Sequence, residues 1–94
     1  MAESGAQRQD DLETRRKKLA FRSWHRGTRE MDLLVGGFAD AHLAAFGAEE
    51  LDFYEKLLRQ NDLDLYAWVA GRSSPPTELD NRVTNLFVNF KYSA

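Results

Sequence analysis

Leu79-Asp80-Asn81-Arg82-Val83-Thr84-Asn85-Leu86-Phe87-Val88-Asn89-Phe90 places its large apolar residues at i, i+4, i+7, i+8 and i+11: Leu79, Val83, Leu86, Phe87 and Phe90. That spacing lines one side of an α-helix and does not fit the two-residue alternation of a half-buried strand. Thr77 with Asp80 resembles a capping arrangement at its start, with Asp where Glu or Gln is usual. Ser73-Ser74-Pro75-Pro76 in front of it is the clearest loop in the chain, and Gly71 marks the end of what precedes the loop.

Moving outward, the same helical period recurs. Asp62 is the expected cap of a short helix carrying Leu65, Trp68 and Val69. Before it, Leu51, Tyr54, Leu57 and Leu58 form the inner face of a helix beginning near Ala48, with Glu49, Glu50 and Asp52 in its first turn. Thr28 is the expected cap of a helix whose buried stripe is Met31, Leu34, Val35, Phe38, His42, Ala45 and Phe46. Gly36-Gly37 interrupts that stripe. Each glycine costs about 1 kcal/mol relative to alanine in a helix, so a bend or a close crossing is needed to explain the pair. A further helix runs from Asp10 or Asp11 to His25, its aspartates at the positive end of the dipole and Gly27 beyond it as a left-handed terminator. No segment alternates as a strand. The expectation is an all-α fold, a compact five-helix bundle in one domain over residues 10–94, preceded by a disordered leader over residues 1–9.

Ninety-four residues suffice for one modest core. The net charge of -2 speaks against a dedicated nucleic-acid binder, which needs a strongly basic face. The charge is uneven, however. Arg15, Arg16, Lys17, Lys18, Arg22, Arg26 and Arg29 crowd one stretch, while acidic residues dominate from Glu49 to Asp64. A solvated helix face is the plain reading of the run Arg15 to Lys18, and a nucleic-acid or localisation patch is the alternative. The N-terminal third could also meet an acidic partner surface or a bound anion. The chain has no cysteine, which excludes disulfides and thiolate metal sites and suits a reducing compartment. No run approaches the roughly 18 apolar residues of a membrane span. The N-terminus resembles neither a secretory signal nor a transit peptide, so a cytoplasmic location is expected.

Catalytic constellations are scarce. His25 and His42 would need Asp32 or Asp40 to make a metal site, and His42 is better explained as a core or boundary residue on the second helix. Ser23, Ser73, Ser74 and Ser93 have no evident base partner, and Gly36-Gly37 lacks both the preceding strand and the spacing of a phosphate-binding loop. The expectation is therefore no catalytic residue, no metal and no cofactor of its own.

One cluster stands out. Trp24, His25, Arg26, Gly27, Arg29, Glu30 and Asp32 gather unlike groups around one tight turn between the first two helices. Two readings are open on the residues alone. Gly27 could simply end a helix, Glu30 favour the start of the next, and Arg26 pair with Glu30 or with orphan carbonyls. Alternatively the corner is a docking surface, since Arg and Trp are the types most enriched at binding hot spots. The density of polar and aromatic groups favours docking, with Arg26, Gly27, Glu30, His25, Arg29 and Asp32 as its candidate partner-binding residues.

The segment from Leu19 to Asp32, with Arg26-Gly27-Thr28-Arg29-Glu30 at its heart, resembles the signature of the succinate dehydrogenase flavinylation factors, called SdhE in bacteria and succinate dehydrogenase assembly factor 2 in mitochondria. Asn61-Asp62-Leu63-Asp64-Leu65-Tyr66-Ala67-Trp68 resembles a second segment of the same family, and the likeness covers roughly residues 12 to 90. It implies a five-helix chaperone, not an enzyme, that binds the flavoprotein subunit of succinate dehydrogenase, and in some bacteria of fumarate reductase, and promotes covalent attachment of FAD to that subunit. Arg26, Gly27 and Glu30 match the family's Arg-Gly-x-x-Glu and would inherit its place at the partner surface. His25, Arg29 and Asp32 join them by position. The FAD belongs to the client, and the free factor is expected to be a monomer that engages neither nucleic acid nor membrane. The alternative is a small regulatory nucleic-acid-binding or general protein-interaction module using the basic first helix. A third reading, a flavin carrier with its own FAD site, lacks a phosphate-binding loop. Under the chaperone reading, Gly27 lets two backbones approach closely, so a larger residue there should remove function and leave the free fold nearly intact.

Overall fold

A computed structural model describes the backbone of residues 5–91 and the side chains of residues 11–91. Five α-helices and two 3-10 turns account for its regular structure, and no strand occurs among the described residues: α1 (Gly5–Ser23), α2 (Arg29–His42), a 3-10 turn (Leu43–Ala45), α3 (Ala48–Leu58), α4 (Asp62–Val69), a second 3-10 turn (Thr77–Leu79) and α5 (Arg82–Val88). The all-α expectation holds.

Element boundaries depart from the sequence reading in informative ways. Helix α1 begins at Gly5, so residues 5–9 of the expected leader are helical and Asp10 and Asp11 fall in its second turn; residues 1–4 lie outside the described residues. Once a helix is nucleated, extension through Ala6, Gln7, Arg8 and Gln9 is inexpensive because all four are adequate helix formers. Helix α2 ends at His42 and tightens into the 3-10 turn, which leaves Ala45 exposed rather than in the stripe. Asn61, not Asp62, caps α4, accepting a bond from the Asp64 amide at 2.9 Å. Likewise Asn81 caps α5 by accepting from the Thr84 amide at 2.9 Å, and Thr77 opens the separate 3-10 turn. Gly71, at φ +77, ends α4 as expected: the Arg72 amide reaches the Ala67 carbonyl and the Gly71 amide that of Trp68, closing a Schellman motif.

The core is aromatic at its centre. Phe38 of α2 stands 5.6 Å from the Tyr54 ring, 5.3 Å from Phe87 and 5.5 Å from Phe90, the last two edge-on. His42 is half-buried against Phe38, Phe46 and Phe90, the boundary position expected of it. Leu34, Val35, Leu51, Leu57, Leu65 and Val83 are fully buried around it. Gly36 of the glycine pair in α2 is explained by a crossing. A Cβ on Gly36 would lie 2.7 Å from Cε3 of Trp24 and nearer still to two other ring atoms. The indole at the end of α1 therefore lies directly on the α2 backbone.

Helix α1 is fixed to α3 by a buried polar contact. Ser23 Oγ donates to the Leu19 carbonyl at 2.7 Å and meets the Tyr54 hydroxyl at 2.6 Å, both side chains fully buried. Burial pushes the Tyr54 phenol well above the ordinary tyrosine range, and the Ser23 bond offsets only part of that shift.

Candidate functional site

The turn between α1 and α2 spans Trp24 to Thr28. Thr28 is the N-cap expected of it, its hydroxyl accepting from the Met31 amide at 3.2 Å. Asp32, one turn into α2, reaches back so that its carboxylate accepts from the Arg26 amide at 2.6 Å and the Gly27 amide at 3.3 Å. A carboxylate between backbone amides at a helix start combines charge-assisted hydrogen bonding with the favourable end of the dipole. Asp32 is thus the brace of the turn. Gly27 sits at φ +122, just before the cap and four residues past the end of α1, so it is not the terminator of that helix. No atom lies within 4 Å of where its Cβ would be. The space is open, yet the conformation is one that side-chain-bearing residues rarely adopt. A larger residue at Gly27 therefore strains the free fold as well, contrary to the expectation that it would be left nearly intact.

Arg26 points inward. Its Nη1 donates to the Leu58 carbonyl at 2.8 Å, its Nη2 to the Gln60 carbonyl at 2.8 Å, and its Nε to Asp62 Oδ1 at 2.9 Å. The ion pair with Asp62 closes at 2.8 Å, and the arginine side chain is only 13% exposed. The planar guanidinium thus caps the last carbonyl of α3 and one in the connection after it while holding the first residue of α4. Of the two options for Arg26, the orphan-carbonyl one is what the fold adopts.

The remaining candidates lie outward. His25, Gly27, Arg29 and Glu30 are exposed, and Arg29 has no ion-pair partner among the described residues. The His25 ring stacks on Phe21 at 4.0 Å between centroids, and its Nδ1 is 2.6 Å from the Phe21 carbonyl. The structure therefore brings all six candidates to one corner but divides their work: Arg26 and Asp32 hold it together, and His25, Gly27, Arg29 and Glu30 face solvent.

The basic run divides in the same manner. Arg15 pairs with Asp52 and Glu55 of α3, which together with their hydrogen bonds hold its guanidinium more firmly charged. Arg16 donates to the Phe46 carbonyl at 2.8 Å. Lys17 and Lys18 are exposed, and Arg22 lies 3.8 Å from Glu55 in a loose pair. A uniformly solvated face is therefore not what forms: Arg15 is bonded to α3 and Arg16 to the turn before it.

Two exposed apolar side chains flank the corner. Phe21 is 64% exposed and Leu63, beside Asp62, is 84% exposed. Leu63 and Tyr66 join Thr28, Glu30, Met31 and Asp62 around a shallow cleft of about 400 Å³. The sequence reading did not place either residue at the site. The signal was present for Phe21: it lies two residues from Leu19 and Ser23, hence on the opposite side of α1 from both. For Leu63 no such signal exists, because α4 has little amphipathic contrast.

Comparison with known proteins adds a separate line of support. A family model described as "Flavinator of succinate dehydrogenase" matches residues 17–91. The chain is 44% identical over 70 residues to the FAD assembly factor SdhE of Acetobacter pasteurianus, covering 74% of this chain and 64% of that protein. It is 39% identical over 79 residues to the mitochondrial succinate dehydrogenase assembly factor 2-B of Drosophila mojavensis, covering 82% of this chain and 50% of that protein. With the mitochondrial succinate dehydrogenase assembly factor 2 of Aspergillus flavus it shares 41% identity over 69 residues, 23% of that protein's length. The chain thus spans less than two thirds of each of these relatives.

Proposed function

We propose, from the premise that this chain belongs to the succinate dehydrogenase flavinator family, that it is an assembly chaperone promoting covalent attachment of FAD to the flavoprotein subunit of succinate dehydrogenase. The observation that carries the reading is the α1–α2 corner, whose Arg-Gly-x-x-Glu residues are braced from within by Asp32 and Arg26 and open outward at Gly27, Arg29 and Glu30. A corner so fixed loses little conformational entropy when a partner covers it, which is what a small docking protein needs.

In this reading the FAD is the client's, and this chain contributes no reacting group. Its contribution is differential binding. A surface that fits the client best when flavin and acceptor side chain are aligned raises the population of that arrangement, and alignment alone lowers the barrier. Gly27 offers a backbone that a partner can approach without meeting a side chain, while Arg29 and Glu30 supply one charge of each sign beside it. Arg26 and Asp32 serve as positioning residues. The flavoprotein of fumarate reductase is a second client with the same requirement. The chain acts as a monomer, and the cytoplasmic location expected from the sequence goes with the proposal; no described helix is long and apolar enough to cross a membrane.

The test is flavin fluorescence of the denatured client subunit after expression with and without this chain, together with co-purification of the two. Charge reversal at Arg29 and Glu30 (Arg29→Glu, Glu30→Arg) is preferable to any change at Arg26, whose loss unsettles the fold. The proposal requires covalent flavin to fall at least several-fold in the absence of the chain or with the reversed pair. Undiminished flavin in a client expressed without it would refute the assignment.

A further inference from the structure

The outer face of α1 carries a second patch, which adjoins the corner at His25. Phe21 stands there largely exposed, resting on the His25 ring, between two shallow clefts. One, of about 420 Å³, is lined by Lys17, Lys18, Phe21 and Arg22, and its surface is almost wholly apolar although three of the four residues are cations. The aliphatic stems of lysine and arginine make that floor while their charged ends stay at the rim. The other, of about 270 Å³, lies between Phe21, Arg22, His25 and Arg26.

The charges around this ring are not consumed by the fold. Arg15 and Arg16, next in sequence, are bonded to α3 and to the Phe46 carbonyl, whereas Lys17 and Lys18 have no ion-pair partner among the described residues and Arg22 has only the loose contact with Glu55. A chain of net charge -2 therefore keeps an uncompensated positive rim around its one exposed aromatic on α1. Exposed apolar surface ringed by like charge marks a docking site for the opposite charge. A nucleic-acid strand would fit less well. The rim is too short to neutralise a run of phosphates.

We infer that the Lys17–Lys18–Phe21–Arg22 face is a second docking surface, and that its occupant is an acidic segment of the client flavoprotein that places an apolar side chain against Phe21. This rests on the chaperone reading and adds to it a region outside the Arg-Gly-x-x-Glu turn. Contact at the corner and along α1 together would fix the orientation of the bound client, which one turn alone leaves free to pivot.

The experiment measures association of the purified client subunit with the unsubstituted chain, with Phe21→Ser and with the double variant Lys17→Glu, Lys18→Glu. All three residues are exposed, and thermal melts check that the variants fold as the parent does. Phe21→Ser should weaken binding about tenfold at every salt concentration, since it removes apolar contact. The lysine reversal should weaken it at least tenfold in low salt and by only a few-fold near 0.5 M salt, where screening shortens the reach of the charges to about 4 Å. Folded variants that bind within about twofold of the parent, while the parent binds and raises covalent flavin, would overturn this inference alone. A parent chain that neither binds nor raises covalent flavin overturns the chaperone reading with it. Oligonucleotide binding at physiological salt that is lost in the lysine variant, with client binding unchanged, would assign the patch to nucleic acid instead.

Discussion

Arg15 and Lys17 are two residues apart on α1, yet the first is bonded to two carboxylates of α3 and the second stands in solvent. The same division runs along the helix: Arg16, Leu19 and Ser23 face the body of the protein, while Lys18 and Phe21 face away and Arg22 lies between, loosely paired with Glu55. A stretch of positive sequence thus becomes two different things. On one side it attaches α1 to an acidic helix, and on the other it is a surface field available to a partner. Only the second portion bears on what the molecule can bind, and counting cations along the chain merges the two.

The sharpest way to break the inner side is Arg26→Ala. It removes the bonds to the Leu58 and Gln60 carbonyls and strands Asp62, and should cost about 2–4 kcal/mol in denaturant unfolding. A loss under about 1 kcal/mol would show that the clamp matters little. Gly36→Ala drives a methyl group into the Trp24 ring and should cost about 1–3 kcal/mol, with a shift in indole fluorescence. Alkaline titration probes the burial of Tyr54. Burial makes the folded phenol hold its proton above the range where the unfolded one releases it, so stability is unaffected below about pH 10 and declines above it by up to roughly 1.4 kcal/mol per pH unit. Absorbance of tyrosinate should accordingly show Tyr54 ionising only as the helices melt. Gly27→Ala, strained but not crowded, should cost about 1–2 kcal/mol. The smallest pair is the most direct comparison: Arg15→Ala should lose about 0.5–1 kcal/mol, partly exposed as that ion pair is, and Lys17→Ala should stay within about 0.5 kcal/mol of the parent.

The helices were legible in the sequence because apolar residues recur at helical spacing with a capping residue or glycine nearby; α4, with little amphipathic contrast, was marked mainly by the Asn61-Asp62 and Gly71 that bound it. Boundaries were less so wherever two neighbours could do the same job. Asn61 and Asp62 are both competent caps, and the fold uses the first for the cap and the second to receive Arg26. Thr77 and Asn81 both precede the last helix, and the real cap is the later one. The corner could be found from residue types alone, but the direction of Arg26 could not. Its partners lie 32 to 36 residues away, at the end of α3 and the start of α4, and no local pattern encodes that meeting. The role of Gly36 was hidden similarly, since a bend and a crossing leave the same mark in a sequence.

The inward turn of Arg26 joins two loops that are far apart along the chain. Arg26 thereby ties the α1–α2 turn to residues 58, 60 and 62, a link through which a partner seated on Gly27 or Arg29 would steady the start of α4. Amide hydrogen exchange at residues 60–64 should slow when the proposed client is bound even if nothing touches those amides, and Arg26→Ala should erase that response while leaving any protection of α1 in place.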